Sequence, residues 1–151
     1  MAITQAMATS FKVEILDGIH NFGTGVIRAS TAADVFKLAL FTSSATLSAT
    51  TTAYSSADEV SSSGTNYPAG GLTLTISQVP TSSSTVAYID FDDLTFPSAT
   101  ITANGALIYN ETQGNKAVAV LAFGGDKTST AGNFTIQFPS PTSTTAILRI
   151  A

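Results

Sequence analysis

One histidine, ten carboxylates and no cysteine are the chemistry this chain has to offer. A Ser-His-Asp triad would have to run through His20, and no Gly-x-Ser-x-Gly or other nucleophile motif accompanies it. A loop or capping role suits it better. Asp90, Asp92 and Asp93 lie close enough in sequence to offer oxygens to Ca²⁺, yet no Asp-x-Asp-x-Asp-Gly loop with a distal Glu follows them. Strand periodicity turns Ile89 and Phe91 inward and Asp90 and Asp92 outward, so the cluster reads as a solvated face. Glu14, Glu59 and Glu111 stand in no context that marks a carboxylate pair for glycoside hydrolysis. Gly23-Thr-Gly25 and Gly124-Gly125 lack the Lys-Ser/Thr that ends a phosphate-binding loop and read as turn glycines. Without Cys there is no disulfide framework, thiolate metal site or Cys nucleophile. These absences predict a chain that is not an enzyme and uses neither cofactor nor metal.

Charge narrows the partners. The net charge is −4 and the pI about 4.6, and no Lys/Arg cluster occurs, so no nucleic-acid partner is expected. Only 11% of residues are charged, and Ser, Thr, Ala and Gly take the positions that Lys and Glu usually fill. Met1–Met7 has neither a basic n-region nor an apolar h-region, and no run approaches the roughly 20 apolar residues that span a bilayer. The expectation is a soluble, unprocessed protein without a membrane partner. On that reading Asn110-Glu-Thr112 and Asn133-Phe-Thr135 match the glycosylation pattern by chance.

The elements that must position these residues are mostly strands. A length of 151 residues with 44% hydrophobic content suits one domain with a real core. Residues 1–10 read as an arm and 11–151 as a single antiparallel β-sandwich, jelly-roll-like, mainly β. Ser10 to Ile19 places Phe11, Ile15, Leu16 and Ile19 at helical spacing, with Ser10 as N-cap and Gly18 at the end, which predicts a short helix; Phe11, Val13 and Ile15 also alternate as in a strand. Phe36, Leu38 and Leu40 alternate with Lys37 and Ala39 in the first secure strand. Further runs follow at 72–77, 86–91, 99–103, 106–110, 116–123, 133–138 and 145–150, separated mostly by Gly, Pro, Asn or Ser. Asn104-Gly105 fits either a tight turn or a glycine bulge within one long bent strand, whereas Glu111–Asn115 reads as a turn.

Two stretches break the sandwich pattern. Ser43–Gly71 is nearly all Ser, Thr, Ala and Gly, but Tyr54, Val60, Tyr67 and Pro68 give it too many anchors for a linker. An ordered surface excursion is predicted, with Tyr54, Val60 and Tyr67 as apolar anchors for a partner. In the hairpin Asn104–Phe123, Leu107 and Tyr109 fall on one face, Ala106 and Ile108 on the other, and Ala117, Ala119 and Leu121 oppose Val118 and Val120. Both faces need cover, from the excursion, from the N-terminal helix or from another subunit, and Ala117 and Ala119 would let that cover approach closely. The interface candidates are therefore Tyr54, Val60, Tyr67, Leu107, Tyr109, Ala117 and Ala119.

Seven blocks carry a resemblance: FKVEILDGIHNF (11–22), FKLALFTSSATL (36–47), TTAY (51–54), YPAGG (67–71), GALIYN (105–110), KAVAVL (116–121) and GNFTIQFP (132–139). Together they span nearly the whole chain, and the set resembles a family of small virion proteins of tailed bacteriophages. That resemblance leads one to expect a basic residue before Gly105, where Asn104 stands. It implies a non-enzymatic, β-rich virion component, of the kind that serves as head decoration or cement, a homotrimer clamping neighbouring copies of the major capsid protein. Its place would be the capsid surface, after synthesis in the host bacterial cytoplasm. The alternatives are a tail, neck or fibre adaptor of the virion, or a glycan- or receptor-binding module using Tyr88 with Asp90 or Tyr109 with Asn110.

Overall fold

The apolar alternation of Phe36–Phe41 becomes an inner strand of the larger sheet. A computed structural model describes residues 2–8, 10, 11, 15, 18–24, 32–84 and 86–151. The described residues form eight strands: β1 (Ala6–Met7), β2 (Phe36–Phe41), β3 (Leu72–Thr73), β4 (Ile76–Ser83), β5 (Val86–Phe91), β6 (Leu94–Asn110), β7 (Lys116–Ile136) and β8 (Leu148–Ile150). One antiparallel sheet has the order β1-β7-β6-β2-β3 and a second the order β4-β5-β8. The chain is mainly β, as its periodicity predicts. The helix expected over 10–19 falls largely outside the described residues. Among the described residues no helix is long and apolar enough to cross a membrane.

The runs at 99–103 and 106–110 are one strand, and those at 116–123 and 133–138 another, because the breaks between them are bulges rather than turns. Ala103 pairs with Lys127 and Gly105 with Ala122, so Asn104 alone on β6 faces Phe123 to Asp126 on β7. Gly124 and Gly125, at φ 71° and 143°, let the longer strand loop out, and Asn104 Nδ2 donates to Asp126 Oδ1 at 2.8 Å across the gap. Asn104-Gly105 is therefore a bulge site, and the turn of this hairpin lies at Glu111–Asn115.

The cover for the doubly apolar hairpin comes from its own chain. Register puts Phe36, Leu38 and Leu40 of β2 beside Asn110, Ile108 and Ala106 of β6 on one face, and Phe41 with Leu107 and Tyr109 on the other. The first face meets the smaller sheet through an aromatic chain. Phe36 stacks on Phe22 at 4.2 Å and lies 6.0 Å from Phe91, which in turn sits 5.9 Å from Phe138. The second face lies under the excursion, where Tyr54 is stacked on Tyr109 at 4.6 Å and approaches Phe41 edge-on.

Within the stretch that reads as an arm, residues 2–8 are bonded to the larger sheet and to Leu47. Thr4 N donates to Leu47 O at 2.9 Å, Ala6 pairs with Val120 and Met7 with Ala119, and Ala8 N donates to Val118 O at 3.1 Å. Thr52 and Tyr54 continue the same edge, with Ala117 N bonded to Thr52 O and Tyr54 N to Asn115 O. The start of β7 is thus capped by two separate stretches of chain, so its backbone groups are bonded within the molecule.

Candidate functional site

The excursion is held down by one carboxylate. Glu59 Oε1 accepts from the Tyr67 hydroxyl at 2.6 Å and from Gly70 N at 2.7 Å, while Oε2 accepts from the Tyr54 hydroxyl at 2.7 Å. Tyr67 in turn accepts from Leu40 N at 2.9 Å, and Tyr109 donates to Gly70 O at 2.7 Å, so the network is keyed into the β2 and β6 backbones. Backbone bonds extend it: Val60 N to Leu40 O at 2.9 Å and Thr42 N to Asp58 O at 3.0 Å lengthen the sheet beyond β3. Farther along, Thr100 N donates to Thr65 O and Asn66 Nδ2 to Ser98 O, tying the end of the excursion to β6. What remains outside is a rim of exposed small residues, including Ser43, Ser44, Thr46, Ser55, Ser56, Ala57 and Ser61–Gly64. It is rigidly mounted, hydroxyl-rich and nearly uncharged, Asp58 being its exposed acid.

The interface candidates fall mainly on the inner side of this construction. Tyr67 is 2% exposed, and Val60, Leu107, Tyr109, Ala117 and Ala119 are likewise buried within the protomer; Tyr54 is half-buried between Glu59 and Tyr109. Their apolar surface is largely in contact with their own chain, beneath the outer rim. Sequence reasoning passed over Glu59, the residue that joins two of them, Tyr54 and Tyr67. The one available signal was two tyrosines within eight positions of a carboxylate in a stretch otherwise poor in both.

A second polar cluster joins three distant segments. Asn110, fully buried at the end of β6, donates through Nδ2 to Asp34 Oδ2 at 2.8 Å and sits 3.0 Å from His20 Nδ1. Its amide orientation follows from Oδ1, which accepts Gln113 N at 3.1 Å. Asp34 also receives Asn21 N and Gln113 Nε2, both at 3.3 Å, so His20 adjoins a hydrogen-bonded junction of buried polar groups. Asp90 corrects the periodicity reading: it is 2% exposed, because Phe91 N and Ile147 N both use its carboxylate. Burial raises its pKa against those two bonds. Tyr88, partly buried, helps line an apolar cleft of about 300 Å³ between the N-terminal segment and the smaller sheet. Among the described residues no three His, Asp or Glu side chains are placed to hold a metal ion.

Comparison with models of known protein families, with curated proteins and with solved structures finds no match for this chain.

Three tyrosines of the excursion network carry raised pKa values. Burial is the largest cause in each; for Tyr54 and Tyr67 the bond to Glu59 adds to it, and Tyr109 is pushed up to about 12 by burial and by the charges of Glu111 and Glu59. Because an unfolded tyrosine ionises near pH 10, their contribution to stability is complete below that pH and is lost as pH rises through the folded values. Alkaline titration is expected to show tyrosinate absorbance appearing cooperatively above pH 10, together with loss of the β circular-dichroism signal. Gradual ionisation near pH 10 of all the tyrosines, with the fold intact, would contradict this.

Proposed function

We propose that this chain is a non-enzymatic structural protein of a tailed-bacteriophage virion. In this reading it is a capsid decoration protein that binds as a homotrimer across junctions between major capsid proteins. The finer fold belongs to the same proposal: a jelly-roll-like sandwich with a short helix in the segment after the arm. The observation that carries it is the excursion, a 29-residue surface element (43–71) fixed to the sheet by Glu59 whose outer rim is almost all hydroxyl and methyl. A protein that must lie flat on an ordered lattice needs a preformed face with little charge to desolvate, and this rim meets both needs. The resemblance of the seven sequence blocks to phage virion proteins points the same way. Affinity would come from several weak faces engaged at once, since each oligomer meets several capsid subunits.

Light scattering on the purified protein, followed by co-sedimentation with decoration-stripped capsids, tests this reading. A trimer that pellets with capsids is expected. A monomer that stays in the supernatant would overturn it and favour the tail adaptor or the glycan-binding module, which density on intact particles and a glycan array would then separate.

A further inference from the structure

His20 is the chain's one histidine, and its charge state can be read from the atoms around it. Asn110 is fixed in orientation by two bonds: its Oδ1 accepts Gln113 N at 3.1 Å, and its Nδ2 donates to the Asp34 carboxylate at 2.8 Å. The second hydrogen of that NH₂ group is the one that meets His20 Nδ1, at 3.0 Å. Nδ1 must therefore accept, so the ring is neutral and carries its proton on Nε2. Burial favours the same state. His20 is only 9% exposed, Asn110 is fully enclosed, and Phe11 lies edge-on to the imidazole with ring centroids 4.7 Å apart.

We propose that His20 is a pH-sensitive latch that, while neutral, holds the segment carrying Phe11 and Asn21 to the end of β6 and, once protonated, releases it. A proton on Nδ1 sets N–H against N–H. Asn110 cannot turn over to relieve this, because Oδ1 would then face the Asp34 carboxylate and Nδ2 the Gln113 N–H, losing two bonds to keep one. Asp34 supplies the opposite charge, but its oxygens already accept Asn110 Nδ2, Asn21 N and Gln113 Nε2, so pairing with the imidazolium dismantles the junction as well. Of the charged groups flanking Asn110, Glu111 is turned to Lys37 at 3.4 Å, and Lys116, opposite Asn110 in the β6–β7 register, is itself a cation. The smaller sheet lines the cleft at His20 with uncharged residues, Tyr88 among them. Departure of the ring would strip Phe11 of its edge contact and open the wall of that cleft formed by Phe11, His20 and Phe22. The latch is a property of the fold and stands apart from the capsid reading.

Because the folded protein favours the neutral ring and an unfolded histidine titrates near pH 6.5, the latch contributes fully above about that pH and is lost as pH falls below it. A single histidine makes the test direct. ¹⁵N NMR of the wild-type chain near pH 7.5 is expected to show the Nε2–H tautomer. On acidification the ring gains its second proton only below about pH 6.5, together with faster hydrogen exchange at residues 20–23 and 110–113. An Nδ1–H tautomer, a ring already charged near neutrality, or a ring that titrates as in a free peptide while those amides stay protected would overturn the latch. His20→Gln keeps a carbonyl oxygen for Asn110 and cannot titrate, so its urea unfolding subtracts the pH dependence of the carboxylates, the buried Asp90 included. Between about pH 7 and pH 5 the unfolding constant of the wild type is expected to rise roughly tenfold more than that of His20→Gln, the scale of one lost buried bond. Parallel pH profiles would count against the latch. Should His20→Gln fold poorly, the wild-type spectra decide alone.

Discussion

Gly71→Ala is expected to abolish folding at ordinary temperature, while Gly64→Ala in the same excursion costs only about 1–2 kcal/mol, the usual penalty for a side chain in the left-handed region. Both glycines have nearly the same backbone conformation, with φ 73° and 71°. Around Gly64 nothing lies within 4 Å of a would-be Cβ, but at Gly71 that atom would fall 1.8 Å from Leu38 O and 2.8 Å from Ala39 Cα. Those are backbone atoms in the middle of β2, so no rotamer change relieves the clash. Either β3 leaves Leu38, with which Leu72 pairs, or β2 moves within the sheet. A loss above about 4 kcal/mol takes a large part of the 5–15 kcal/mol that holds a typical domain together. Soluble yield and urea unfolding of the two variants side by side decide the matter: equal losses would show that φ alone sets the cost and that the approach to Leu38 is slack.

Gly71 also shows what could be read before the fold was seen. Tyr-Pro-Ala-Gly-Gly at 67–71 announces a turn by residue type, but the reason Gly71 in particular cannot change is a carbonyl 33 positions away. Strands were legible where alternation was regular, as in Phe36–Phe41 and Val86–Phe91. They were cut in two where a bulge shifted the phase, because a period of two has no way to express four residues opposite one. Asp90 misled for a related reason: alternation gives the direction of a side chain on its own strand, while its burial is decided by the Ile147 N–H arriving from the chain just ahead of β8. The hairpin posed the right question, since two apolar faces do require cover. Which of three covers would supply it depended on contacts such as Tyr54 on Tyr109 and Ala8 on Val118, which no local pattern encodes. The His20–Asp34–Asn110 junction was invisible for the same cause, with partners 76 and 90 residues apart.

Removing the carboxylate of Glu59 is expected to free the excursion while leaving the sheets standing. In Glu59→Ala the Tyr67 hydroxyl and Gly70 N lose their acceptor in places that water reaches poorly; the half-buried Tyr54 hydroxyl can turn to solvent. At about 1–3 kcal/mol for each stranded buried group, with the weakened stacking of Tyr54 on Tyr109 added, the loss is about 3–5 kcal/mol. Glu59→Gln keeps a carbonyl oxygen for Tyr67 and Gly70 and presents its NH₂ to Tyr54, whose hydroxyl can rotate to accept. Its cost is about 1–2 kcal/mol, the difference between a charged and a neutral acceptor. The discriminating readout is local: limited proteolysis of Glu59→Ala should cut first within 43–71 and leave the β6–β7 hairpin intact, whereas Glu59→Gln should resist like the parent. Uniform cleavage throughout the chain would mean that the excursion is part of the core and not an element mounted on it. The same pair bears on the proposed capsid contact, because the outer rim is nearly unchanged in composition and only its mounting differs. If rigidity of that rim is what lets it bind, capsid co-sedimentation falls with Glu59→Ala and persists with Glu59→Gln, at temperatures where both bodies remain folded.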